Sequence, residues 1–318
     1  MTARSPSADS VRGAVIMVAA ILLIPVMDAA AKLLGTGTPP FGPPMSPLQV
    51  SFASLSFQVL FLAPVVFWVF GWATLQPPRR DLLIWRGTLI VATNVSFFAA
   101  LLFMGMAEAA AIFFVEPLIL TVVSAFFLSE RIGWRRIAAV LTGLIGAMIV
   151  IRPNFLAVGW AALLPLAAAM SFTAYLLLTK ITSRVTDPFI AHFWAGCSGA
   201  VFLASVLMIA MVVAPDVTVG LNAAPITAIW PTQRQWGLLA GLGLIATITH
   251  LLIIVAFSKA PASVLAPLQY FEIIAATALG WVLFDEFPDG WTWVGLAIIV
   301  LSGLFVFHRK ERRNGGVY

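Results

Sequence analysis

Apolar residues run along this chain in blocks of about 20, each closed by a cluster of proline, glycine or charged residues. A block of that length, at 1.5 Å rise per residue, matches the roughly 30 Å hydrocarbon core of a bilayer. Ten such blocks are legible, at residues 13–34, 47–70, 82–104, 107–128, 135–151, 159–181, 189–213, 236–258, 262–284 and 291–307. The breakers between them include the proline-rich stretch from Gly35 to Pro47, Pro77-Pro78, Arg152-Pro153, Asp187-Pro188 and the longer segment from Ala214 to Gln235. The pattern predicts an all-α integral membrane protein with ten transmembrane helices.

Part of the pattern occurs twice. The stretch from Ala109 to Val150 has a counterpart from Ala262 to Val306, and adding 156 takes Glu116 to Glu272 and Glu130 to Glu286. A one-residue insertion then takes Gly146 to Gly303. Repetition at half-chain spacing predicts two five-helix repeats, residues 1–153 and 154–318. Because five is odd, the second repeat enters the bilayer upside down relative to the first, the arrangement that places a substrate site between halves near the midplane.

Composition sharpens this picture. Only 10% of the 318 residues are charged and 61% are hydrophobic, against roughly a quarter charged in soluble domains. A basic, apolar opening segment also resembles a signal peptide, but its length and the nine blocks after it favour a first membrane helix. The single cysteine, Cys197, cannot form an intrachain disulfide, and three widely spaced histidines give no metal motif. No cofactor is expected, and the absence of a G-x-x-x-x-G-K-[ST] loop disfavours ATP-driven pumping.

The net charge of +5 is explained by topology rather than by nucleic acid. With ten spans, Arg4, Arg12, Arg79, Arg80, Arg86, Arg131, Arg135, Arg136, Lys180, Arg184, Lys259, Arg309, Lys310, Arg312 and Arg313 all fall on one side. Only Arg152 and Arg234 fall on the other, with Lys32 inside span one. Positive charge concentrates on the cytoplasmic face, so both termini are expected there.

Two acids stand out by depth. Glu116 lies roughly 14 Å into span four and Glu272 roughly 15 Å into span nine, both near mid-bilayer, one from each repeat. An acid at that depth costs roughly 2.5–3.5 kcal/mol even on a permissive scale, so it faces a protein interior or a watery cavity. Such a carboxyl group can recognise a substrate cation or exchange a proton; the plainer reading is a hydrogen bond that fixes helix packing. Asp28 and Lys32, four apart on span one, share a face and either pair with each other or separate, Asp28 to the cavity and Lys32 to the outer surface. Asn94 and Gln269 are secondary candidates, Gln269 because it stands three residues before Glu272.

Other polar positions read as structural. Glu130 and Glu286 precede spans five and ten, where a helix N-terminus favours a carboxylate. Ala139, Gly143, Ala147, Gly295 and Gly303 suit close helix contact. His192 and His250 read as packing residues and Lys180 as an interfacial anchor. Most tryptophans fall near span ends, as in an interfacial belt, while Trp85, Trp194 and Trp281 are weak candidates for a cavity wall.

The passage FFVEPLILTVVSAFFLSERIGWRRIAAVLTGLIGAMIVIRP resembles the EamA family of the drug/metabolite transporter superfamily. The shared marks are a midspan Glu-Pro, a Leu-x-Glu-Arg break, a basic pair and a small-residue helix ending in Arg-Pro. The second half departs from it, with Ile273 in place of the proline and Asp285-Glu286-Phe287 in place of Ser-Glu-Arg. The resemblance implies ten helices around a central cavity lined by spans one, three, four, six, eight and nine, in a bacterial inner membrane. It implies transport of small metabolites such as amino acids, purines, drugs or S-adenosylmethionine. The segment from Met27 to Lys32 is similar to the first span of members that include S-adenosylmethionine carriers, which suits a cationic solute.

The resulting expectation is a secondary transporter for a small polar, amine-bearing metabolite, with protons as a candidate coupling ion, acting as a monomer or weak dimer. The competing classes are a non-transporting membrane sensor or scaffold and a membrane-embedded enzyme. The latter would require convergent Asp, His or Arg residues at one membrane face, and the sequence shows no such cluster.

Overall fold

The computed structural model describes residues 8–128, 134–260 and 265–314. Its helices are α1 (Ala8–Thr36), α2 (Pro47–Phe70), α3 (Arg80–Ala100), α4 (Met106–Phe113), α5 (Glu116–Leu128), α6 (Trp134–Val158), α7 (Leu164–Thr182), α8 (Pro188–Val213), α9 (Gln233–Lys259), α10 (Phe271–Phe284) and α11 (Gly290–Asn314). Among the described residues, six segments are long and apolar enough to cross a membrane: Val11–Thr36, Pro47–Phe70, Arg80–Ala100, Phe155–Thr182, Pro188–Val213 and Gln233–Lys259. The polarity is inverted relative to a soluble fold. Asp28, Lys32, Arg86, Glu116 and Glu272 are buried, whereas Trp68, Met208, Val212 and Val282 are largely exposed. Such an exterior is suited to lipid, and the chain is a multi-pass membrane protein.

Helix starts follow local chemistry. Ser46 accepts from Leu48 N at 3.2 Å with Pro47 in the first turn of α2, and Asp187 accepts from Phe189 N at 2.9 Å ahead of Pro188 in α8. Thr232 and Gln235 exchange backbone–side-chain bonds of 2.9 and 3.3 Å at the start of α9. Asp289 Oδ1 accepts from Thr292 N at 2.7 Å and so caps α11.

Two predicted spans are not continuous helices. Span four is split at Phe114-Val115 into α4 and α5, and span nine passes through a 3₁₀ turn, Ala266–Tyr270, before α10. The cause in span four is Pro117, which has no N–H and whose ring clashes with the carbonyl four residues back, Phe113, where α4 ends. The ladder there tightens to Val115 N→Ile112 O at 3.2 Å and Leu118 N→Val115 O at 3.0 Å. Pro267 lies in the corresponding turn of span nine.

Other boundaries also moved. Arg152-Pro153 does not end span five, since α6 continues to Val158. The Ala214–Gln235 segment carries a small antiparallel pairing, Thr218–Val219 with Ala224–Pro225, and merges into α9 at Gln233. It is tied down across one end of the bundle: Gln49 bonds both ways with Ile229 at 2.6 and 3.0 Å, Asn222 Nδ2 donates to Thr36 O, and Ser46 Oγ donates to Ile226 O.

The most extensive helix pairings are α1 with α9, α6 with α11, α3 with α7, α2 with α8, α3 with α8 and α2 with α9. Every one joins a helix before residue 159 to one after it. Small residues permit the closest crossings. Between α6 and α11, a Cβ at Gly146 would stand 2.9 Å from Gly295 O, and one at Gly295 would stand 2.6 Å from Gly146 O. Gly143 and Ala147 are buried on the same helix, so these expected packing positions pack, whereas the side chain of Ala139 and the surroundings of Gly303 lie outside the described residues.

Candidate functional site

Three carboxyl groups enter the interior from three separate elements: Asp28 on α1, Glu116 on α5 and Glu272 on α10, each less than a tenth exposed. Sequence places each near a proline: Pro25 inside the continuous α1, and Pro117 and Pro267 at the breaks of their spans. Glu116 opens α5 and Glu272 is the second residue of α10, so both stand in a first helical turn, where the helix dipole favours a carboxylate. Among the described residues the ion pairs are Arg12–Asp9, Lys32–Glu286 and Arg79–Asp81, so none of the three acids has a basic partner.

The three are not equivalent neighbours. Asp28 and Glu272 lie within Coulombic range of each other, and Glu116 lies within range of Tyr270. Glu116 Oε1 and the Tyr270 hydroxyl are both buried without a hydrogen-bond partner among the described residues. Tyr270 packs its ring on Phe114, centroids 5.5 Å apart, in the break before Glu116. From there an aromatic row continues through Phe113 and Phe172 to Tyr175. Asn94, on α3, and Gln269, in the 3₁₀ turn ahead of α10, are half-buried.

Several sequence expectations are corrected here. Lys32 does not pair with Asp28 and does not reach out to the surface. It is buried and donates to Glu286 Oε1 at 2.5 Å and to Met104 O at 2.8 Å. Glu286 does not serve the start of its own following helix, a role taken by Asp289. The left-handed Asp285 (φ 57°) ends α10 and turns the chain so that Glu286 Oε2 accepts from Met106 N, the first residue of α4, at 3.3 Å. The preceding amide, Gly105 N, donates to Glu108 Oε2 at 3.2 Å. Glu130 lies outside the described residues. Trp85 and Trp281 face outward rather than lining a cavity, and Trp194 donates to Thr74 O at 2.7 Å.

One buried charge escaped the sequence reading. Arg86, counted above only as a topological charge, is 3% exposed inside the bundle, where it donates to the Tyr175 hydroxyl at 3.0 Å. Its usable signal was position: Arg86 stands about one helical turn inside an apolar block, whereas Arg79 and Arg80 precede it. His192 and His250 stack near it with ring centroids 4.2 Å apart.

Comparison with known proteins agrees with this architecture. The profile of the EamA-like transporter family matches residues 15–152 and again 159–308. A riboflavin transporter of Rhizobium johnstonii is 28% identical over 207 residues, which is 65% of this chain and 63% of that protein, just under two thirds of its length. An S-adenosylmethionine uptake transporter of Rickettsia bellii is 26% identical over 90% of this chain and 89% of its own. A riboflavin transporter of Vibrio cholerae is 30% identical over 81% and 74%. A solved crystal structure, 21% identical, superposes with a TM-score of 0.61 over 95% of this chain and 99% of its own, a likeness of fold. With family matches across both halves, the chain belongs to the EamA-like transporter family of the drug/metabolite transporter superfamily.

Proposed function

We propose that the protein is a secondary transporter that carries a small polar, amine-bearing metabolite across a bacterial inner membrane by alternating access. The observation that carries this reading is the set of three buried, cation-free carboxyl groups, two of them at the restart of a broken helix. Discontinuous helices near mid-bilayer are where secondary transporters hold solutes and coupling ions. In this reading Glu116, Glu272 and Asp28 receive the amine or a proton in its place, and Asn94 and Gln269 supply neutral hydrogen bonds.

The two five-helix repeats, inverted relative to each other with both chain ends cytoplasmic, belong to the same proposal. It is supported by the doubled family match and by the packing. Exchanging the helices of one half for their counterparts in the other turns the α1–α9 pairing into α7–α3, and α3–α8 into α9–α2, all of which occur. Relatives named as riboflavin and S-adenosylmethionine transporters support a small organic solute.

Uptake by purified protein in liposomes, driven by a pH step and screened over amino acids, amines, nucleosides, riboflavin and S-adenosylmethionine, tests the reading. Flux that collapses in Glu116→Gln and Glu272→Gln is expected. Unchanged flux and pH response in both variants would overturn the site.

A further inference from the structure

The Arg86 cluster has the chemistry of a second binding position, distinct from the three acids. Arg86 comes from α3, Tyr175 from α7, His192 from α8, and His250 and Gln58 from α9 and α2. The Tyr175 ring covers one face of the guanidinium, 4.9 Å from ring centroid to the central carbon, and its hydroxyl accepts from Nη2. Nε and Nη1 are buried and have no acceptor among the described residues. Within those residues no carboxylate lies within ion-pair distance; Asp81 pairs with Arg79 at the surface, and Asp187 caps its own helix. The two histidines supply no fixed negative charge. His250 Nδ1 faces Ala246 O at 2.8 Å and Gln58 Nε2 at 3.3 Å, and His192 Nε2 is buried without a partner.

A permanently charged guanidinium held in a bundle with free donors and no counter-ion is costly unless an anion completes it. We infer that Arg86, with Tyr175 and His192 beside it, forms an anion subsite that takes the carboxylate of a transported solute. This rests on the transporter reading and extends it: the solute carries an acid as well as an amine. One guanidinium balances one negative charge, which fits a carboxylate better than a phosphate dianion. Arg86 and His192 are buried in this structure, so in this proposal a solute reaches them only in another conformation of the bundle.

The test uses the full chain in lipid nanodiscs, with sodium benzoate as probe and benzamide as its uncharged counterpart, read by thermal shift. Benzoate is expected to stabilise the wild-type chain, benzamide to leave it unmoved, and Arg86→Gln to weaken the benzoate effect about tenfold or more. Arg86→Lys keeps the charge without the planar fork and should retain part of it. No stabilisation by benzoate, equal stabilisation by benzamide, or an undiminished effect in Arg86→Gln would each overturn the subsite. Where Arg86→Gln does not fold, the benzoate–benzamide contrast on the wild-type chain decides alone. Solute flux in liposomes is measured separately: benzoate binding without flux of any solute would overturn the transporter reading while leaving the anion subsite standing.

Discussion

Lys32 and Glu286, 254 residues apart in sequence, form an ion pair that closes one end of the bundle. The lysine also holds Met104 O and the glutamate also holds Met106 N, so one pair binds α1, the α3–α4 turn and the α10–α11 turn. The partners are unequally covered, with side-chain exposure of 5% for Lys32 and 31% for Glu286.

That inequality makes the two single substitutions unequal. Glu286→Leu strands a buried ammonium and should cost about 3 kcal/mol; Lys32→Met leaves a carboxylate that water already reaches and should cost about half as much. The double variant should recover part of the loss. Thermal unfolding of the four proteins in one detergent measures this, and equal costs for the two singles would contradict the assigned burial.

Pro117→Ala restores the N–H that the break lacks and allows α4 to run into α5. Stability should hold or rise, by up to about 3 kcal/mol, while solute flux falls at least tenfold because Glu116 leaves its first-turn position. Paired melting and liposome uptake would show it; flux that survives with a healed helix would mean that the break is dispensable.

Gly295→Ala places a methyl against Gly146 O and should destabilise by about 1–3 kcal/mol, the usual penalty for overpacking. Gly237→Ala, in α9 where an added Cβ meets nothing within 4 Å, should be neutral or stabilise by up to about 1 kcal/mol. The contrast in melting temperature between the two checks that the α6–α11 crossing, and not helix propensity, sets the cost.

Gln49→Ala removes both bonds to Ile229 and should free the segment that covers this end of the bundle. Faster hydrogen exchange at the Ile229 amide and easier proteolysis between residues 214 and 232 are expected, with a loss of about 1–2 kcal/mol for two hydrogen bonds. Unchanged exchange at Ile229 would mean that other ties suffice.

Much of the architecture was legible because lipid imposes a simple rule on sequence. A helix that faces acyl chains must be apolar, so block length marked the elements, and the doubled Glu116 and Glu272 marked two acids set inside apolar blocks. Both side chains are indeed buried. What stayed hidden depends on contacts between distant segments. Asp28 and Lys32 look like an i, i+4 pair, but the partner of Lys32 is set by where Asp285 turns the chain. Pro117 was visible, yet whether a membrane proline bends a helix or divides it depends on how neighbours resatisfy the freed carbonyl. Arg86 was misread because a count of positive charges treats every arginine alike; its place inside the apolar block hinted at burial, and the packing against Tyr175 shows what holds it.

The pairing of early helices with late ones bears on how the protein is made. When α3 leaves the ribosome, Tyr175 is 89 residues behind Arg86, and Lys32 waits still longer for Glu286. During synthesis the first half of the chain therefore stands with a guanidinium that lacks its tyrosine and an ammonium that has Met104 O but not its carboxylate, and insertion of the later helices completes both. Nascent chains halted before α7 should accordingly be the ones the cell's membrane quality control removes first.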